Sequence, residues 1–144
     1  MAIGNALNSN IGTFTPTLLF GGANVGMTGT FVGAYVKTGP QVDLSITITL
    51  TAKGSSTGNA SIGNPPFTGS ATAGAQKWLP MYLQNCTVTG STFTQTAAQS
   101  GSGTATLSGL FEFSQVSDLA LNLDESNFDN DAIIAVSGTY WTDV

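Results

Sequence analysis

The sequence predicts an all-β chain, folded as a single β-sandwich or barrel with almost no helix. Three observations lead there. Charged residues make up 8% of the 144 residues, and threonine, serine, glycine and asparagine supply the polar surface instead. Threonine suits this role because its branched Cβ packs well on a pleated strand. The segment QVDLSITITLT (41–51) alternates apolar and polar residues without a break. Turn residues then punctuate the chain about every eight to twelve residues.

The elements follow in order. MAIGNALNSNIG (1–12) is too polar and irregular to pack, so it is expected to be a flexible arm that orders against a neighbour, with the folded domain spanning 13–144. TFTPTLLF (13–20) is a strand that Pro16 confines to an edge or a strand start. GTFVGAYVK (29–37) is a second. In the strand at 41–51, Val42, Leu44, Ile46, Ile48 and Leu50 share one face and Asp43, Ser45, Thr47, Thr49 and Thr51 the other, which is the period of a half-buried strand. KGSSTGNASIGNPPF (53–67) reads as a hairpin corner. Glycines there allow positive φ, Ala60 and Ile62 begin the return strand, and Pro65-Pro66 stops ladder pairing before Phe67 enters the core. KWLPMYLQ (77–84), CTVTGSTFT (86–94), TATLSGLFEFS (104–114), LALNL (119–123) and AIIAVSGTYW (132–141) complete eight or nine strands.

Charge and inventory exclude several functions. The net charge is −5, with three lysines, no arginine and no histidine, so the clustered cations that nucleic acid requires are missing. A single cysteine, Cys86, leaves no intrachain disulfide and no multi-thiolate metal site, and reads as a small buried apolar residue. No apolar run approaches the ~20 residues of a membrane-spanning helix, and no signal peptide is visible, so cytoplasmic synthesis is expected.

Candidate chemistry is sparse. GSSTG (54–58) lacks the lysine and the following helix of a phosphate loop. Asn59-Ala60-Ser61 and Asn85-Cys86-Thr87 match the glycosylation pattern, as chance matches do in a Ser/Thr-rich chain. Asp124, Glu125, Asp129 and Asp131 could offer oxygen ligands to calcium, but their spacing is not that of an EF-hand and a solvated loop is the simpler reading. Without histidine neither a Ser-His-Asp triad nor a histidine zinc site can be built. A carboxylate pair such as Glu112 with Asp118 is arithmetically possible, yet Glu112 lies between Phe111 and Phe113, where alternation makes it the outward residue. Trp78, Tyr82, Tyr140 and Trp141 could form a sugar-stacking platform, although strand aromatics more often fill a core or a subunit interface. The expectation is a protein that is not an enzyme, with no catalytic, cofactor-binding or metal-binding residue.

Several stretches carry a resemblance. TPTLLFGG (15–22), GAYVKTG (33–39), the alternating strand, and KGSSTGNASIGNPPF (53–67), with NFDNDAIIAVSGTYWT (127–142) at the end, together resemble a module of bacteriophage and prophage tail-fibre and virion structural proteins. Asn64-Pro65 departs from the "GLPF" usual at that corner. The resemblance covers about half the chain, in order; the middle, 68–126, shares only strand-like texture. It implies a β-sandwich of jelly-roll type, a homotrimer, and a place on the virion surface. The twelve residues before the domain are too few for a fibre shaft, which favours a capsid decoration or cement protein seated on the major capsid protein lattice at the capsid exterior. The alternative is a trimeric tail-fibre or head-fibre knob that binds a host-surface receptor glycan. Neither reading calls for nucleic acid or membrane insertion.

Overall fold

The structure is a computed structural model that describes residues 9–88, 93–104, 106–114 and 120–144. It is all-β. The described residues form strands β1 (Ser9–Phe14), β2 (Thr17–Phe20), β3 (Thr28–Thr38), β4 (Gln41–Ala52), β5 (Ala60–Gly63), β6 (Trp78–Cys86), β7 (Phe93–Ser100), β8 (Thr106–Ser114), β9 (Ala120–Asn122) and β10 (Phe128–Trp141), with a 3-10 turn, Glu125–Asn127, between β9 and β10. All pairings are antiparallel and run β1-β3-β4-β10-β6-β7-β8-β5-β2, with β9 beside β8. β6 is where the sheet bends. Its Met81–Cys86 half pairs with β10, and its Trp78–Pro80 half pairs with β7. The curl brings the two ends of the path over a common apolar interior.

That interior follows from alternation. Val42, Leu44, Ile46, Ile48 and Leu50 of β4 are each at most 4% exposed, as the sequence predicts. Ala132, Ile134, Val136 and Tyr140 of β10 bury the same face beside them. Leu18 and Phe20 of β2, Ile62 of β5, Leu79 of β6 and Leu107 and Leu110 of β8 complete the cluster. Full burial of such side chains contributes about 1.5–3 kcal/mol each, so β4 alone supplies a large part of the driving force.

The departures from the sequence reading have local causes. Pro16 splits the expected 13–20 strand into β1 and β2, because proline supplies no ladder N–H. β1 and β2 then lie at opposite ends of the sheet path, the edge positions that proline predicts. Of the arm expected at 1–12, residues 1–8 lie outside the described residues, while Ser9 to Gly12 pair with β3. The corner at 53–67 is not a hairpin: β5 pairs with β2 and β8, not with β4. The chain there crosses between distant parts of the sheet. Gly54 is required in that crossing, since it has φ +77 and an added Cβ would stand 2.2 Å from the Val25 carbonyl oxygen. Asn64, with φ 59, makes the following bend and donates from Nδ2 to the Thr15 carbonyl at 2.7 Å. Of the strand expected at 86–94, Cys86 ends β6 and Phe93 and Thr94 begin β7, while residues 89–92 lie outside the described residues.

Glu112 corrects a second expectation. It is 2% exposed, and Phe111 and Phe113 are the partly exposed residues. The cause is a bulge. Ala98 pairs with Leu110 but Ser100 pairs with Leu107, so β8 carries one extra residue there. Gly109, at φ +136, sits in that irregularity. One inserted residue exchanges the two faces of the strand beyond it.

Because Ile48 is fully buried at the centre of β4, Ile48→Ala is expected to destabilise the protein by about 2–5 kcal/mol in urea unfolding. The exposed neighbour substitution Thr47→Ala should change stability by less than about 1 kcal/mol.

Candidate functional site

At one end of the sheet, strand ends and a loop enclose a cleft of about 710 Å³. The end of β3 contributes Lys37 and the turn after it Gly39 and Pro40; Lys77 lies just before β6; the last residue of β10, Trp141, and the segment Thr142 to Val144 follow; a loop contributes Ser70 and Thr72 to Ala75. Gly39 takes φ +58 in a turn that leaves space around it. The loop closes on itself through the Ala75 amide, which donates to the Thr72 carbonyl at 3.0 Å around Gly74 at φ +81. This is the geometry of a turn that needs positive φ at its third residue.

Asp143 fixes that loop. Its carboxylate accepts from the Ser70 hydroxyl, from the Ala71 amide at 2.8 Å and from the Thr72 hydroxyl at 3.5 Å. The Ser70 hydroxyl first, and the Ala71 amide second, hold its carboxyl below the ordinary carboxylate range. A depressed carboxyl keeps its charge above its unfolded value, and the anchor weakens when pH falls through the lower folded value. The Ser70 amide also donates to the Trp141 carbonyl at 2.7 Å, and the Thr142 amide to the Pro40 carbonyl at 2.8 Å.

Alternation along β10 sets what faces the cleft. Tyr140 turns inward, is 1% exposed, and donates from its hydroxyl to the Phe67 carbonyl at 2.9 Å. Burial pushes its phenol up to about 12. Trp141 turns outward and is 45% exposed, with the Lys77 ammonium 5.9 Å from its ring centre. Thr142 turns inward again and is 2% exposed, but its Oγ1 has no hydrogen-bond partner among the described residues. A buried unpaired hydroxyl costs about 1–3 kcal/mol. Lys37 donates to the Gly39 carbonyl at 2.6 Å and stands 5.5 Å over the Phe67 ring. An exposed indole, two ammonium groups and a fixed carboxylate thus line one concavity.

The residues singled out from the sequence are distributed differently. The four aromatics separate: Tyr140 is core, Trp78 packs edge-on against Phe111 and Phe113 at 5.2 and 5.5 Å, Tyr82 stands on the outer sheet face, and Trp141 alone of the four lines the cleft. The acidic segment is engaged in structure. Asp124 caps the 3-10 turn through Ser126, Glu125 accepts from the Gly58 amide at 2.6 Å, and Asp131 accepts from Asn85 Nδ2 at 3.0 Å. No group of three or more acidic or thiol side chains gathers among the described residues. Asp118, the partner imagined for Glu112, lies outside the described residues. Cys86 is half-buried, and burial, with Asp129 and Asp131 adding to it, pushes its thiol up to about 11. GSSTG is a loop in which the Val25 amide donates to Ser56 Oγ at 2.8 Å. Sequence reasoning missed Ser70, Thr72, Thr142 and Asp143, which carry no motif. The scarcity of lysine was the available signal, since two of the three meet here.

A second surface is the outer face of β1, β3, β4, β10 and β6. It exposes Ile11 by 75%, Val32 by 54% and Tyr82 by 59%. Asp43 on that face is bound by the Thr139 hydroxyl.

No family model matches the chain, and no curated protein matches it in sequence. Among solved structures, the crystal structure of the Dettilon tailspike protein has a similar fold. The TM-score is 0.69 at 20% identity, over 92% of this chain and 23% of the tailspike chain. This chain therefore corresponds to about a quarter of that protein's length.

Replacing Thr142 by valine keeps the shape of the side chain and removes the unpaired oxygen. Thr142→Val is expected to leave the fold intact and raise stability by about 1 kcal/mol in urea unfolding. A loss of similar size would mean that the hydroxyl has a partner.

Proposed function

We propose that this chain is a non-enzymatic bacteriophage virion protein that binds a host-surface glycan, acting as a homotrimeric module of the tail. The cleft at the end of β10 carries this reading, because it joins an exposed indole to hydrogen-bonding side chains in a concavity of small-ligand size. Sugars are recognised by an apolar ring face together with hydroxyls, and aromatic rings with polar neighbours suit both. The likeness to a tailspike protein supports the virion setting and a tail position.

The same likeness weighs toward the receptor-binding alternative rather than toward the capsid decoration reading that the sequence favours. Capsid cement would need a face for the major capsid protein lattice, and no feature of the described residues speaks for that partner in particular. The curled sheet fits a jelly-roll sandwich in which three copies meet through neutral faces. The outer face with Ile11, Val32 and Tyr82 is the natural candidate, since large exposed apolar side chains there would be covered. The absence of histidine from the sequence supports a binding role without turnover.

Trp141→Ala tests the reading. Adsorption of the labelled variant to cells of the phage host is expected to fall by about tenfold or more, while light scattering still gives three times 14.7 kDa. Unchanged adsorption would overturn the glycan site, and a monomeric mass for the parent protein would overturn the trimer.

A further inference from the structure

Resting on the cleft as glycan site, a further property follows from where the charges lie. All three lysines are described. Lys37 and Lys77 line the cleft, and Asp143 is the single acidic side chain there. The rest of the chain holds one lysine, Lys53, against seven acidic residues. Lys53 is committed elsewhere, donating to the Glu125 carbonyl at 3.1 Å. A strongly acidic chain therefore concentrates its positive charge in a concavity that also presents an indole.

The negative group inside the cleft is already occupied. Both Asp143 oxygens accept from Ser70, Ala71 and Thr72, so the carboxylate is fixed on the loop; it keeps its charge, and the two ammonium groups outnumber it. The lysines retain capacity. An ammonium has three donors, and Lys37 gives one to Gly39. Lys77 stands over the Trp141 ring, which puts its charge at the indole. A neutral glycan would need none of this charge. An anionic one would be repelled by most of the surface and attracted here.

We infer that the cleft takes an acidic sugar, whose carboxylate or phosphate group meets Lys77, with Lys37 as the second cation, while its ring stacks on Trp141. The shared chemistry is an anionic oxygen group on a pyranose or its linkage, and the two sources are uronic-type sugars and phosphate-bearing glycans.

The test is a surface panel of bacterial polysaccharides. Each uronic-acid polymer is paired with its carboxyl-reduced form, and each glycerol-phosphate-bearing polymer with its dephosphorylated form. Fluorescent full chain should be retained on at least one acidic polymer and bind its neutral counterpart about tenfold more weakly. The preference should shrink as salt rises from about 0.1 M to about 1 M. Lys77→Gln should lose the preference and Lys77→Arg should keep it, which separates a charge contact from a structural role. The polymer type retained identifies carboxylate or phosphate as the source. Equal retention on a neutral counterpart would overturn the acidic-sugar inference and leave the glycan reading standing. No retention on any polymer would overturn both.

Discussion

The pairing of β4 with β10 is the constraint on which the rest of the structure depends. Nine consecutive residue pairs, from Ile133 opposite Thr49 to Trp141 opposite Gln41, lock the two longest strands in one register. Because side chains alternate with a period of two, that register decides the fate of every residue on both strands. It commits Val42 to Leu50 and Ile134 to Tyr140 to the interior. It equally commits Trp141 to the outside and Thr142 to the inside at the place where the ladder runs out. Core and cleft are consequences of the same pairing. A slip by one residue would bury the indole, expose Tyr140, and disassemble the cleft along with the core.

The curl of the sheet does the remaining work. β6 pairs with β10 along one half and with β7 along the other, so it joins the two sides of the molecule without a crossover helix. The loop from Gly69 to Ala75 is drawn to the end of β10 by Asp143 and by the Trp141 carbonyl. It is the long-range hydrogen bonding of one loop, and not a catalytic motif, that turns a strand end into a concavity.

The fold class was legible in the sequence because alternation is a local property. Val42 to Leu50 and the strand at 132–141 declare their faces from the chain alone. What was not legible depends on nonlocal pairing. The corner at 53–67 looks like a hairpin because glycines and prolines mark where a chain turns, but not which strand it will meet; β5 goes to β2 and β8 instead. Glu112 looked outward because a bulge on β8 has no firm signature beyond Gly109, a residue that serves many purposes. The cleft is the hardest case. Lys37, Ser70, Lys77, Trp141 and Asp143 are spread over most of the chain and become neighbours through tertiary structure only. Of these, Trp141 could be named in advance, and then as one of four aromatics that the fold sends to different surroundings.

Trp141 and Trp78 are both about half exposed, yet one faces the cleft and the other packs edge-on against Phe111 and Phe113. This difference gives a direct measurement of where the molecule binds. The sequence has two tryptophans, so a heteronuclear NMR spectrum resolves two indole N–H signals. On titration with polysaccharide from the surface of the host, the Trp141 signal should move in a saturable manner and the Trp78 signal should stay. Movement of Trp78 with Trp141 unchanged would contradict the assignment of the binding surface to the end of β10.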